Sequence, residues 1–283
     1  MKLSLLILFG GMGLSLIWFG RRAISSGSAQ VRAISKDPRY AFIRAFREEI
    51  QQHALACRQH PLATEYRERL QAKDWRPAEE TLLKILPAET NPFAASSAAE
   101  CRESIGDYAG AAEMLALAER QMSPAAAVWT RMRLIAMKLR ARDVEAATYL
   151  SRTLVQGLNG AERLFVLDYL ACLPIMENLK NFLPMADACS REALELQPQN
   201  LTVKGTRGSI LVELGRIDEG EPLLNEVYAT SEADHDKGIS AFYLGLIAKA
   251  RGDLDRAKMF AAKALLRFPE EWLKQRTNKE LLS

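Results

Sequence analysis

Apolar residues recur along this chain three and four positions apart, the period of a helix with one buried face. Runs that alternate strictly between apolar and polar, as half-buried strands do, are missing. Between the helical stretches a short punctuation returns. Its clearest copies read Gly106-Asp107-Tyr108-Ala109-Gly110-Ala111 and Gly252-Asp253-Leu254-Asp255-Arg256-Ala257. The last residue of each copy falls at Ala78, Ala111, Ala147, Ala186, Gly220 and Ala257, at separations of 33, 36, 39, 34 and 37 residues. Glycine closes one helix and aspartate caps the next, so each copy predicts a helical hairpin. A fixed recurrence of hairpins means that each leaves an apolar face which only its neighbour covers. The expected class is all-α.

The clearest unit runs from Gly238 to Glu271 and carries Leu244-Gly245, Gly252, Leu254, Ala257, Ala261, Ala264 and Pro269. The unit from Leu201 to Asp234 keeps Gly208, Gly215, Ile217, Leu224 and Val227. That from Pro92 to Ala125 keeps Ala99, Gly106, Tyr108, Ala111, Leu115 and Ala118. These units resemble the tetratricopeptide repeat, two antiparallel helices in about 34 residues. The resemblance covers residues 59–271 and implies a right-handed α-solenoid of about six hairpins. Small residues such as Gly245 and Ala257 let two helix axes approach closely. The unit beginning near Leu167 departs from the pattern, because Pro174 stands where the family has a small residue. A proline there is expected to kink or split the first helix of that hairpin.

The flanks read differently. Leu3 to Phe19 is apolar apart from two serines and carries no charge. As a helix it spans about 26 Å, the lower limit for crossing a bilayer. Trp18, Phe19, Arg21 and Arg22 at its end suit an interface. Residues 1–20 are therefore expected to form a transmembrane anchor, and 21–36 a Ser/Ala/Gly-rich linker. The excess of basic residues after the segment places the repeats on the cytoplasmic side. A periplasmic placement, and cleavage near Ala29, remain as alternatives. Asp37-Pro38 announces a helix over 37–58, with Phe42, Ile43, Phe46, Ile50, Ala54 and Cys57 along one side. Its expected role is to cap the first repeat, with lying on anionic lipid as the alternative. Trp272, Leu273, Leu281 and Leu282 suggest a matching capping helix over 272–283.

Composition narrows the chemistry. The 283 residues hold 38 Lys plus Arg against 35 Asp plus Glu, a scattered excess that gives no nucleic-acid footprint. Cys57, Cys101, Cys172 and Cys189 are dispersed, with no pair a turn apart as zinc or redox sites need, and they read as small apolar residues. A Cys172–Cys189 disulfide is the one pairing left open, since both fall in a single unit. His53, His60 and His235 form no ligand set, and Asp234-His235-Asp236 falls at a joint between repeats where turn and cap residues belong. No nucleophile motif or phosphate-binding glycine loop occurs, so neither an enzyme, a cofactor, a metal nor a small-molecule substrate is indicated.

The resemblance implies instead that the first helices of successive repeats line a concave groove for a protein or peptide. The family's groove positions correspond here to Phe93, Ser97, Glu100, Trp129, Arg133, Arg140, Asn178, Phe242 and Tyr243. Arg133 and Arg140, seven residues apart, lie on one side of a helix and suit an acidic partner segment, against the plainer reading of two solvated arginines. Phe242 and Tyr243 form an apolar patch that the C-terminal helix could equally cover. The functional expectation is a membrane-anchored scaffold recruiting a protein through its groove. An envelope assembly factor or chaperone facing the periplasm, and a regulatory subunit of a membrane enzyme complex, are the alternatives.

Overall fold

The computed structural model describes residues 40–268 and 270–283. Among these residues the chain is all-helical, with fourteen α-helices and one short 3-10 turn. They fall into two compact units, one running through Glu162 and one from Arg163 to Ser283.

The first unit holds α1 (Ala41–Gln59), α2 (Ala63–Gln71), α3 (Trp75–Ile85), α4 (Pro92–Ser104), α5 (Tyr108–Arg120), α6 (Pro124–Arg140) and α7 (Val144–Gln156). From α2 onward each helix packs against the next, forming three antiparallel pairs. The second unit holds α8 (Gly160–Met176), the 3-10 turn Lys180–Phe182, α9 (Leu183–Leu196), α10 (Leu201–Glu213), α11 (Ile217–Thr230), α12 (Asp234–Ala250), α13 (Leu254–Arg267) and α14 (Glu271–Glu280). There α9 to α14 pack in succession, and α10 also packs against α12. The expected hairpins α2/α3, α4/α5, α6/α7, α10/α11 and α12/α13 thus pack as pairs, and α8 and α9 follow one another through the 3-10 turn as the sixth.

One geometric rule runs through all six. Each hairpin turns through a single residue in the left-handed region: Lys73, Gly106, Arg142, Asn178, Gly215 and Gly252, with φ between 51° and 81°. Glycine takes that conformation without strain, whereas the other three positions hold it against a steric penalty. Asp107, Asp143 and Asp253 then accept from the backbone N–H three residues on and cap the second helix. The small residue of each signature lands at the fourth position of that second helix, where Ala78, Ala111, Ala147 and Ala186 are wholly buried. In α11 the residue is Gly220. A Cβ on it would lie 2.7 Å from the Gly208 carbonyl oxygen, so this glycine pair sets how closely α10 and α11 cross.

The structure corrects several expectations. The transmembrane helix expected to precede the solenoid is not supported: no helix among the described residues is long and apolar enough to cross a membrane. Residues 1–20, where the span was expected, lie outside the described residues, as do the 21–36 linker, the Asp37-Pro38 helix start and Pro269. Pro174 does not split its helix: α8 continues through it to Met176. The proline sits in the last turn, where few hydrogen bonds remain to be lost, and its carbonyl accepts from Leu179 N–H at 3.0 Å. Finally, α1 packs mainly on α4 and α6, with only a slight contact to the first hairpin at α2. It lies across first helices rather than capping the end of the array.

Candidate functional site

In the first unit, α1 presents Phe42, Phe46, Ile50, Ala54 and Cys57 on one buried stripe. The Phe42 ring stacks on Trp129 of α6 with centroids 6.4 Å apart. Polar contacts hold α1 in register at the starts of the two helices beneath it. Glu49 accepts from Ser123 through both N–H (3.0 Å) and Oγ–H (2.6 Å), and Ser123 is the N-cap of α6. The His53 carbonyl accepts from the side chain of Asn91, the N-cap of α4, at 3.5 Å.

Further along the same helices lies a charged cluster. Arg140 donates to Glu103 at 2.6 Å, while Arg133 stands 3.5 Å from both Glu100 and Glu103. Two arginines thus meet two glutamates, with Arg133 almost entirely buried. The guanidinium of Arg140 also lies 5.5 Å from the centre of the Tyr108 ring. Burial pushes the Glu100 carboxyl up to about 7, with neighbouring Glu103 adding to the rise and Arg133 opposing it. The expected solvated arginines are therefore engaged within the chain. Phe93 and Ser97 of α4 are buried too, and Ser97 bonds to the Tyr66 phenol, whose own ionisation burial pushes well up.

In the second unit, α14 packs on α12 and α13. Its Leu273, Arg276 and Thr277 are buried against the unit, followed by Leu281. Arg276 gathers acceptors from three consecutive first helices: the Ile175 carbonyl of α8 at 3.3 Å, Glu213 Oε1 of α10 at 2.7 Å and Tyr243 Oη of α12 at 3.0 Å. Tyr243 donates in turn to Glu213 at 2.8 Å, and the guanidinium lies 4.9 Å from the Phe242 ring centre. Phe242 and Tyr243 are wholly buried, so the C-terminal helix covers the expected apolar patch. Gly245 makes room for this arrangement, since a Cβ there would meet Leu281 Cδ1 at 2.9 Å and Phe260 Cβ at 3.3 Å.

The first helices of this unit also carry a buried polar row. Asp236 accepts from Ser231 at 2.9 Å and from Thr202 at 3.3 Å, with His235 Nε2 at 2.8 Å from its other oxygen. Burial pushes the Asp168 carboxyl up to about 6, against the hydrogen bond it receives from Thr206. No cluster of three or more metal-ligating side chains occurs among the described residues. Asn178, expected on the groove face, is the left-handed residue of the α8/α9 turn and lies at the end of the hairpin instead. The extra residues of the 3-10 turn shift the repeat numbering at that point, so a count along the family pattern misplaced it.

The four cysteines are free thiols, with Cys57, Cys101 and Cys189 buried. Burial pushes Cys101 and Cys189 up to about 12, which leaves both as unreactive thiols.

No family model and no curated protein matches this chain. Among solved structures it is similar to a thermophilic TPR protein of Thermus thermophilus, at 21% identity and a TM-score of 0.48, covering 68% of this chain and all of that one. It is also similar to YrrB, described as a TPR protein with an unusual peptide-binding site, at 13% identity and a TM-score of 0.39, covering 71% and 98%. PilF of Pseudomonas aeruginosa matches at 15% identity and a TM-score of 0.45, covering 84% and 99%. At these scores the likeness carries no functional argument.

Two groups in these sites escaped sequence reasoning. Glu213 ends a first helix and carries no motif. Arg276 carries no motif either, although it follows Leu273 by three on the same helical face. That pattern was the available signal.

Proposed function

We propose that this chain is a protein-interaction scaffold whose binding surfaces are the faces formed by the first helices of its hairpins. The observation that carries the reading is the same in both units. A helix from outside the six hairpins engages first helices of successive pairs: α1 packs over α4 and α6, and α14, packed on α12 and α13, sends Arg276 to Ile175 of α8, Glu213 of α10 and Tyr243 of α12. Each face therefore has the shape and the polar anchors to receive a helix. Support also comes from its chemistry: charged and hydroxyl groups that a plain core would not hold are concentrated on it, and the hairpin cores hold the face without needing reorganisation on binding.

The test is a photo-crosslinking amino acid placed at Arg140 and, separately, at Thr202, both on first helices and both partly accessible, with Tyr149 on the second helix α7 as control. Tyr149 is 68% exposed, so its accessibility exceeds that of either test position. Capture of one protein from Arg140 or Thr202 and not from Tyr149 supports the reading. Capture confined to Tyr149 moves binding to the second helices and overturns it.

A further inference from the structure

We propose that the Arg276 pocket of the second unit is an arginine-recognition site for a partner helix, filled in the free chain by its own α14. The proposal rests on the first-helix-face reading and adds the occupant's chemistry. Three first helices each contribute one acceptor to a single guanidinium: Ile175 O, Glu213 Oε1 and Tyr243 Oη. Phe242 lies against its face at 4.9 Å. A planar donor fork fits such a set, and a lysine, with one point charge, does not. The flanking anchors define the rest of the motif. Leu273 sits three residues before the arginine, Thr277 directly after it and Leu281 five after, the spacing with which an amphipathic helix lies in a groove. Glu280, on the next turn, accepts from the guanidinium at 2.6 and 2.9 Å and keeps its remaining donors satisfied. The fitting partner is therefore a helical segment with leucine, arginine, a small residue and leucine in this order, with an acidic side chain four residues after the arginine.

The built-in occupant is suited to displacement. With ten residues, α14 is below the length at which isolated helices hold in water, so off the face it unfolds. It is strongly polar, and among the described residues the buried Thr277 hydroxyl has no hydrogen-bond partner. Its hold on the unit runs through Leu273, Arg276, Thr277 and Leu281, with Trp272 edge-on to Phe268 at 6.3 Å. Lys249 adds an outer contact, donating to the carbonyls of Glu280 at 2.9 Å and Ser283 at 3.2 Å. A built-in occupant lowers a partner's apparent affinity by the fraction of time it is docked.

The test uses the full chain and a labelled synthetic peptide with the sequence of residues 270–283. Hydrogen exchange in Arg276→Ala should show residues 271–280 losing protection while α10 and α12 keep theirs. The peptide should then bind Arg276→Ala at least about tenfold more tightly than wild type, because the competing helix has been released. Peptide affinity should vanish when the peptide's own arginine is alanine, or when Glu213→Gln is added to the Arg276→Ala chain. Equal binding to wild type and Arg276→Ala, or no binding to either, overturns the proposal. So does unchanged protection of α14, or a collapse of protection in α10 and α12 that makes α14 part of the core. Only purified components enter, so failure here is separate from failure of the crosslinking test.

Discussion

Glu100 is a largely buried acid whose protonation the first unit favours, and this makes a stability experiment with a defined sign. Its carboxyl rises from 4.5 to about 7, mainly by burial, with Glu103 adding to the rise and Arg133 opposing it. The folded chain therefore binds that proton more tightly than the unfolded chain does. Stability is unaffected by the shift below about pH 4.5, falls as pH rises through the window from 4.5 to about 7, and is reduced in full above it. A shift of this size corresponds to about 3 kcal/mol. The carboxylate is largely screened from water, at 18% side-chain exposure, so the Coulomb and burial effects act nearly at full strength. The perturbation is Glu100→Gln, which keeps the shape and removes the titration. Urea unfolding followed by tryptophan fluorescence would be run on both chains at pH 5 and pH 8. Taking the difference between chains at each pH, and then between pH values, cancels the titrating groups that do not interact with Glu100. Glu100→Gln should gain about 2.5 kcal/mol over wild type on going from pH 5 to pH 8, since the lower pH already lies inside the titration window. A change of opposite sign would mean that the ion pair with Arg133 outweighs burial, and the reasoning would be refuted. A change below about 0.5 kcal/mol would refute it as well.

Other consequences are simpler to read. Phe42→Ala should cost the first unit about 3–5 kcal/mol, since the ring is buried and stacked on Trp129, and Trp129 fluorescence should shift to longer wavelength as α1 loosens. Ser123→Ala should cost about 1 kcal/mol by removing the α6 cap, with hydrogen exchange rising both at the start of α6 and around Glu49, because one hydroxyl serves both places. Gly220→Ala should lower the urea midpoint by the equivalent of about 1–3 kcal/mol through overpacking against Gly208. Gly106→Ala has open space around its Cβ, and should cost about 1 kcal/mol from the left-handed backbone alone.

Local rules made the hairpins legible. A left-handed turn, an aspartate cap and a small residue on the fourth position of the next helix are all decided within six residues of chain, and short-range sterics enforce them wherever the sequence recurs. The glycine turns at 106, 215 and 252 and the buried alanines at 78, 111, 147, 186 and 257 could be read without coordinates. Lys73 and Arg142 show where that logic stops. They hold the same turn conformation as the glycines, but no residue preference announces it.

What lies on the hairpins was decided by tertiary structure alone. The amphipathic stripe of α1 required burial somewhere, yet an apolar stripe specifies only that a partner surface exists. The fit of Phe42 to Trp129 and the reach of Glu49 to Ser123 placed the helix over α4 and α6, not over the first hairpin. The groove residues followed the same division. Family spacing brought Arg133, Arg140, Phe242 and Tyr243 to first helices, but their partners lie 30 to 37 residues away at Glu100, Glu103, Glu213 and Arg276. Contacts between different repeats depend on how neighbouring hairpins stack, which short-range preferences do not encode. Sequence by itself determined that this chain is a series of helical hairpins with small-residue crossings. Only the packed structure decided that their first-helix faces are charged, internally neutralised and already covered by the chain's own helices.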